Sequence, residues 1–197
     1  MKIIDGKILD IGLENFNAHP RLNENLAAAT IKGLSKKTSE HHIYDASLDK
    51  SMNRGTFLAL CLALKDYISS NFKDEKRIGI ALPSGIAGAA VNVALQMARK
   101  VSVNINFTMG AEAAKACYRK SGVKVVISSE KLRQKVSQKF PDFPWGENFC
   151  DISDILKKIG KKGVLKKLIA VKILPACAII KLFDIPTLGG DSEASII

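Results

Sequence analysis

The fold is decided by residues 77–85, which read RIGIALPSG. Isoleucine at positions 78 and 80 lies in a short apolar run that is typical of a buried strand, and Pro83-Ser84-Gly85 is typical of a turn. The small-residue stretch that follows, up to Arg99, has the composition of a helix. This order predicts a strand, a turn and a helix.

The same order repeats along the chain. Strands that alternate with crossover helices form a parallel sheet, and such crossovers are almost always right-handed. We therefore predict an α/β fold with a flavodoxin-like, doubly wound layer. The further strands are expected at 101–106, 123–128 and 147–151, and the further helices at 109–120, ending at Gly122, and at 130–139.

The flanking segments complete a division into three parts. Residues 1–50 are predicted to be an irregular approach segment with a short helix around 24–34. Residues 51–150 form the βα-repeat subdomain, which opens with a helix over 55–70 that Asn53 could cap. Residues 151–197 are the third part.

That third part is predicted to be mainly one helix. A cationic amphipathic helix runs from Ile155 to Leu174, weakened by two glycines, and Pro175 should interrupt it. Residues 195–197 resemble the start of a strand.

The positive charge is concentrated in that helix. The chain has a net charge of +11, and eight lysines between residues 157 and 181 leave only +3 for all other residues. No acidic residue lies between Ile155 and Phe183. The charge is therefore local, and we expect no nucleic-acid partner.

The cysteines and the apolar runs indicate a cytoplasmic protein. Cys61, Cys117, Cys150 and Cys177 are spaced too widely for a metal or redox motif, which favours free thiols. No secretory signal is visible. The charge-free apolar stretch at 173–180 is far shorter than the ~20 residues that span a bilayer.

Ligands of an open parallel sheet bind at the carboxyl ends of its strands, which here means three loops. Ser84 lies in the first loop, where it could cap the next helix or leave amide groups facing an anion. The surrounding residues match neither a dinucleotide-binding nor a P-loop pattern, so capping is the simpler interpretation.

The other two loops carry polar and basic side chains. Asn106 and Thr108 follow a strand, where capping and turn formation are the simpler roles and substrate contact is the alternative. Lys131 and Arg133 begin a helix after the next strand. They could meet a phosphate or an acidic partner, although basic residues on a helix usually face solvent.

The residues alone identify no reaction. His41 and His42 are adjacent but have no further ligand at a diagnostic spacing, so no metal site is predicted. No arrangement of Ser, Cys, His and acid marks a catalytic residue. The cationic helix could lie on an anionic membrane or bind an acidic protein, but a surface helix with a buried apolar stripe has the same pattern.

A linked series of motifs gives the chain a family resemblance. In acyl-CoA synthetases, stretches like 77–85 and 100–108 typically read V-G-I-x-L-P-N-S and, after a helix, G-K-V-P-V-N-L-N-Y-T. The match covers about residues 54–135 and resembles the N-terminal half of the adenylate-forming family. Ser102 stands where that pattern has proline, and Gly85 stands where an asparagine is expected.

Two stretches resemble one branch of that family. The form NFTMGAEA at 106–113 and the sequence DASLDKSMNRGTF at 45–57 are most similar to bacterial acyl-acyl carrier protein synthetases, which are often fused to a 2-acylglycerophosphoethanolamine acyltransferase. The resemblance implies an incomplete N-terminal domain of an ATP- and Mg²⁺-dependent ligase. Such an enzyme adenylates a fatty acid and transfers the acyl group to acyl carrier protein or CoA.

The resemblance also implies that the reacting groups lie elsewhere. Residues 191–197 resemble the lead-in to the family's phosphate-binding loop, so the nucleotide and metal ligands would lie beyond this span and the piece would be inactive alone. Lys131 and Arg133 occupy a place where relatives meet the CoA nucleotide, and Ser84, Asn106 and Thr108 would line a substrate wall. The alternatives are a non-catalytic nucleotide- or protein-binding module and a domain peripheral to the membrane.

Overall fold

The computed structural model describes residues 7, 10–15, 18–19, 23–36, 38–46, 48–189 and 192–196. A helical segment at 10–15 precedes two helices and a hairpin whose ends are defined. These are α1 (Leu26–Leu34), β1 (His42–Asp45), β2 (Lys50–Asn53) and α2 (Arg54–Asn71). Strands and helices then alternate as β3 (Arg77–Ala81), α3 (Ile86–Met97), β4 (Val101–Asn104), α4 (Ala111–Ser121), β5 (Val125–Ser128), α5 (Glu130–Lys139), β6 (Asn148–Asp151), α6 (Ile152–Ile173), α7 (Ala176–Leu182) and β7 (Ser195–Ile196).

Five of these strands form one parallel sheet in the order β6-β5-β3-β4-β7. Each neighbouring pair is parallel, and Ala81 at the end of β3 stands opposite Ser128 at the end of β5. Leaving β7 aside, the chain starts in a central strand, adds β4 on one side and then adds β5 and β6 on the other. This is the strand order of a flavodoxin-like layer, so the predicted fold class is confirmed.

Each face of the sheet has its own apolar core. On one face, α2, α3 and α6 pack with the inward residues of β3 and β5, such as Ile78 and Ile127. On the other face, α4 and α5 contribute Ala114 and Val136 to a smaller core that includes Val126. The strands are buried on both sides, which explains their continuous apolar runs.

Most predicted elements are confirmed, with shifts of a few residues at their ends. Asn53 caps α2 by accepting a hydrogen bond from the Thr56 N–H at 2.8 Å. Gly122 ends α4 with φ of 66°, the left-handed value for which glycine is suited. Pro175 separates α6 from α7.

Three features differ from the sequence prediction. The β1–β2 hairpin, whose short strands show no clear alternation of apolar residues, was not predicted and crosses the boundary placed at residue 50. Helix α6 begins at Ile152 instead of Ile155, because Asp151 caps it. It is also interrupted at Gly160, where φ is 66° and ψ is 165°. No helix within the described ranges is long and apolar enough to cross a membrane.

The last segment is only partly described. Residues 192–196 include the predicted strand β7, which pairs with β4. The predicted lead-in begins at Asp191 and ends at Ile197, and both of these residues lie outside the described ones.

Candidate functional site

A carboxylate from outside the loop after β3 caps the helix that follows this loop. Gly85 is the N-cap of α3 and has no side chain to bond the helix amides. Asp45, at the end of β1, takes that role: its Oδ2 accepts a hydrogen bond from the Ile86 N–H at 2.9 Å, and Asp45 is only 4% exposed. Ser84 is exposed and does not cap the helix, so that prediction is wrong.

The close approach of Asp45 depends on glycine. A Cβ atom at position 85 would lie far inside van der Waals contact with Oδ2 of Asp45. The Asp45 carboxyl group therefore already occupies the position where a helix N-terminus attracts a phosphate. The N-terminus of α3 is closed to anions.

The loop after β4 forms a local turn. The Asn106 Oδ1 atom accepts hydrogen bonds from the Thr108 N–H at 2.9 Å and the Thr108 hydroxyl at 2.7 Å. Gly110 is the N-cap of α4, so Thr108 forms a turn and does not cap the helix. Both polar side chains are exposed at the edge of the sheet.

Two side chains cap helix α5, which follows the loop after β5. The Ser129 hydroxyl accepts a hydrogen bond from the Leu132 N–H at 3.2 Å. The Glu130 N–H donates to Oδ2 of Asp151, whose other oxygen accepts from the N–H groups of Ser153 and Asp154. One carboxylate thus closes the N-termini of both α5 and α6.

The hydrogen bonds of Asp151 set its acidity. Partial burial raises the pKa of this carboxyl, but the backbone hydrogen bonds from Glu130, Ser153 and Asp154 outweigh burial, so that the pKa lies below its ordinary value of 3.8. Asp151 therefore keeps its negative charge at neutral pH.

Lys131 and Arg133 face different surroundings. Lys131 is exposed in a cleft of about 530 Å³ that it shares with Asp151, Asp154 and Lys157, among others. The Arg133 guanidinium lies 4.8 Å from the centre of the Phe149 ring and forms an ion pair with Glu130 at 3.6 Å. Arg133 is therefore held by its neighbours, whereas the Lys131 ammonium faces a cleft that contains charges of both signs.

An apolar pocket that sequence reasoning missed lies beside Asp45. It has a volume of about 260 Å³ and lies between the hairpin and helices α2, α3 and α6. Its apolar lining includes Leu60, Leu64, Ile86 and Ile152. The hairpin forms one wall, and because the hairpin was not predicted, the sequence offered no signal for the pocket.

The residues that the structure describes form no metal centre. Within those ranges, no group of three or more His, Cys, Asp and Glu side chains could hold a metal ion. His41 and His42 thus acquire no third acidic or thiol ligand there.

The fold is similar to that of several solved N-terminal domains. The N-terminal domain of FACL13 from Mycobacterium tuberculosis, in an inhibitor-bound crystal structure, superposes with a TM-score of 0.51 at 16% identity over 75% of this chain and 36% of that chain. A Mycobacterium tuberculosis fatty acyl CoA synthetase gives 0.52 at 15% identity, over 76% of this chain and 28% of that one. The chain has the fold of adenylate-forming N-terminal domains.

The likeness extends to a peptide synthetase. NpsA-ThdA from Klebsiella oxytoca, an artificially fused adenylation and PCP di-domain, gives a TM-score of 0.55 at 12% identity, with 74% of this chain and 25% of that chain covered. This chain therefore spans about a quarter to a third of these adenylate-forming structures. No protein-family model and no curated protein sequence matches it.

Proposed function

We propose that this chain is the N-terminal part of an ATP-dependent fatty-acid ligase, which forms an acyl adenylate and then a thioester with acyl carrier protein or CoA. The observation that carries the proposal is the fold built on the five-stranded sheet, which is similar to that of the solved N-terminal domains described above. The motif series over residues 54–135 supports the same family, and its form favours the acyl carrier protein branch.

Three of the four helix N-termini at the carboxyl edge, all except that of α4, are closed to the phosphates of a nucleoside triphosphate. Adenylation requires donors for phosphate oxygens and a metal ion to offset their charge. At the carboxyl edge, Asp45 closes α3 and Asp151 closes α5 and α6, so carboxylates stand where phosphates would need amide groups. The ligands of ATP and Mg²⁺ are therefore proposed to lie outside these residues, and the chain alone is proposed to be inactive.

The edge residues are proposed to contact the other reactants. Lys131 offers an ammonium group to the CoA nucleotide or to an acidic carrier protein, and Arg133 follows two positions later on the same helix. Ser84, Asn106 and Thr108 expose hydroxyl and amide groups at the neighbouring loops, where they would line the substrate wall. The apolar pocket of about 260 Å³ suits part of an alkyl chain, which supports a fatty-acid substrate.

The test compares this chain with the product of its whole reading frame. Palmitate-dependent exchange of pyrophosphate into ATP should be measured for both proteins. We expect exchange by the whole product and none above the blank by the 197 residues. Exchange by the chain alone would contradict its inactivity, and no exchange by the whole product with fatty acids of any length would contradict the ligase proposal.

A binding measurement tests the alternative of a non-catalytic module. Isothermal titration of the 197-residue chain with ATP should show no tight binding if the carboxylates close the edge as described. Tight binding would instead favour a nucleotide-binding module.

The proposed role of Lys131 is tested by substitution. In the whole product, Lys131→Glu should weaken thioester formation while it leaves pyrophosphate exchange unchanged.

A further inference from the structure

The second half of α6 exposes an apolar stripe. Leu165, Ile169 and Ile173 are spaced four residues apart, so they lie on one side of the helix. They are 56%, 52% and 73% exposed, although residues of this type are usually buried. On the opposite side, Val171 is buried in the core, which fixes the orientation of the stripe toward solvent.

Exposed lysines lie on the same side of the helix. At 3.6 residues per turn, Lys161 and Lys172 flank the stripe on one side, Lys166 flanks it on the other, and Lys162 lies between. All four are exposed, and none has an acidic ion-pair partner within the described ranges. This surface, which we call the cationic stripe, comprises Lys161, Lys162, Leu165, Lys166, Ile169, Lys172 and Ile173.

Other lysines of α6 are used within the protein. Lys167 points inward, where it forms an ion pair with Asp66 and lies 4.4 Å from the centre of the Phe183 ring. Lys157 pairs with Asp154 at 2.9 Å. The contrast shows that lysines of α6 are paired where acids are near, whereas those of the cationic stripe face solvent.

The break at Gly160 adds apolar surface next to the stripe. An open groove of about 430 Å³ lies there, and its lining includes Leu156, Val164, Leu165 and Leu168. Leu165 belongs to both the groove and the stripe, so the apolar surface is continuous.

We propose that the cationic stripe is a docking surface for an anionic phospholipid membrane, with its apolar side chains at the boundary between headgroups and acyl chains. A helix with apolar residues on the exposed side and lysines around them is typical of helices that lie in the membrane interface. Lysines near an anionic leaflet each add attraction, which salt screens. This inference is independent of the proposed ligase function.

The composition of the stripe favours a lipid surface over a protein partner. Protein interfaces are depleted in lysine, and their cores are depleted in charge, whereas here four lysines surround three apolar side chains. The fluid headgroup region accepts both kinds of group because lysines can extend to the phosphates while Leu165 and Ile169 enter the apolar layer.

Vesicle flotation with the purified chain tests the proposal. The vesicles contain either phosphatidylcholine alone or its mixture with phosphatidylglycerol. We expect binding to the mixture at low salt, little binding to phosphatidylcholine alone, and release at about 0.5 M salt. A wild-type chain that does not float with the anionic vesicles would overturn the proposal.

Charge reversal has a matched control on the other face of the sheet. The variant Lys161→Glu, Lys162→Glu, Lys166→Glu should bind at least tenfold more weakly. The control Lys120→Glu, Lys124→Glu, Lys135→Glu changes the net charge equally at exposed positions on α4, just before β5 and on α5, and should bind within about twofold of wild type. An equal loss in the control would show a general charge effect and overturn the assignment to α6.

The apolar side chains are tested separately. The variant Leu165→Ser, Ile169→Ser, Ile173→Ser keeps every charge and changes only exposed positions, so its circular dichroism should match that of wild type. We expect it to lose most vesicle binding, and wild-type binding would contradict insertion. Two further outcomes would replace the lipid with another occupant: a dimer in ultracentrifugation that this variant abolishes, or binding to an acidic peptide without binding to vesicles.

Discussion

Helices α3 and α5 begin at the same edge of the sheet but are capped by groups at very different distances along the chain. The N-terminal amide of α3 is bonded by Asp45, which lies 41 residues upstream. The N-terminus of α5 is bonded by its own N-cap, Ser129, and by Asp151, which lies 21 residues downstream. A local cap can be recognised in the sequence, whereas a cap delivered by another strand requires the fold.

The caps of α3 and α5 also affect anion binding at this edge of the sheet. In both cases an acidic side chain occupies the position at which a helix N-terminus would bind a phosphate. The caps of both helices therefore stabilise this edge of the sheet, and neither helix N-terminus offers a free site for an anion. Substitutions of the capping residues can distinguish their contribution to stability from their effect on anion binding.

The largest effect is expected at Gly85. Replacement by alanine places a methyl group against Asp45 and should reduce the free energy of unfolding by about 2–3 kcal/mol, measured by urea denaturation. Gly110 is the matched control, because it is the N-cap of α4 and a Cβ atom added there would have no neighbouring atom within 4 Å. Gly110→Ala should cost less than about 1 kcal/mol, and equal costs would contradict the clash with Asp45.

Asp45→Ala should have the next largest effect. Loss of the buried cap should cost about 1–2 kcal/mol. In this background Gly85→Ala should cost far less than in wild type, because the two residues are in contact. Inorganic phosphate should then raise the melting temperature of Asp45→Ala more than that of wild type. Equal stabilisation by phosphate would show that α3 is not an anion site even when it is uncapped.

At Asp151 the effect should depend on pH. Its pKa is lowered in the folded protein, so the stabilisation it provides is present above the ordinary value of 3.8 and is lost as the pH falls below that value. Asp151→Asn should reduce stability at pH 7 by about 1 kcal/mol and should flatten the pH dependence below about pH 4. Urea denaturation across this range measures both, and an unchanged acid profile would contradict the role of the carboxylate.

Ser129→Ala should have the smallest measurable effect. Removal of the local cap of α5 should cost about 0.5–1 kcal/mol, because Asp151 still bonds the first amide. Ser84→Ala, in the corresponding loop before α3, should change stability by less than about 0.5 kcal/mol. Urea denaturation of both variants measures the difference. A larger cost at Ser84 than at Ser129 would mean that Ser84 has a structural partner after all.

The order of strands and helices was predictable because its signals are local. The apolar run at Ile78 and Ile80, the cap at Asn53 and the left-handed Gly122 each act within a few residues. The turn predicted at Asn106 and Thr108 is confirmed, but the helix caps predicted at Ser84 and Thr108 are wrong. Each is a good cap by composition, but at one loop a distant carboxylate replaces the serine, and at the other Asn106 draws Thr108 into a turn.

The contacts at the carboxyl edge of the sheet were less predictable than the order of strands and helices. The β1–β2 hairpin, the apolar pocket behind it and the cap from Asp45 all depend on one antiparallel pair whose residues carry no strong strand pattern. Whether Lys131, Arg133, Ser84, Asn106 and Thr108 bind a ligand stays a prediction.

Ser102, which stands where the family pattern has proline, lies on β4 and pairs with β7. The Ser102 N–H donates to the Ala194 carbonyl at 3.2 Å, a hydrogen bond that proline cannot make. Its amide proton is therefore a natural probe of the last strand. Slow hydrogen exchange at this one position would report that β7 is seated on the sheet, and fast exchange would report that it has detached, without any label being added to the protein.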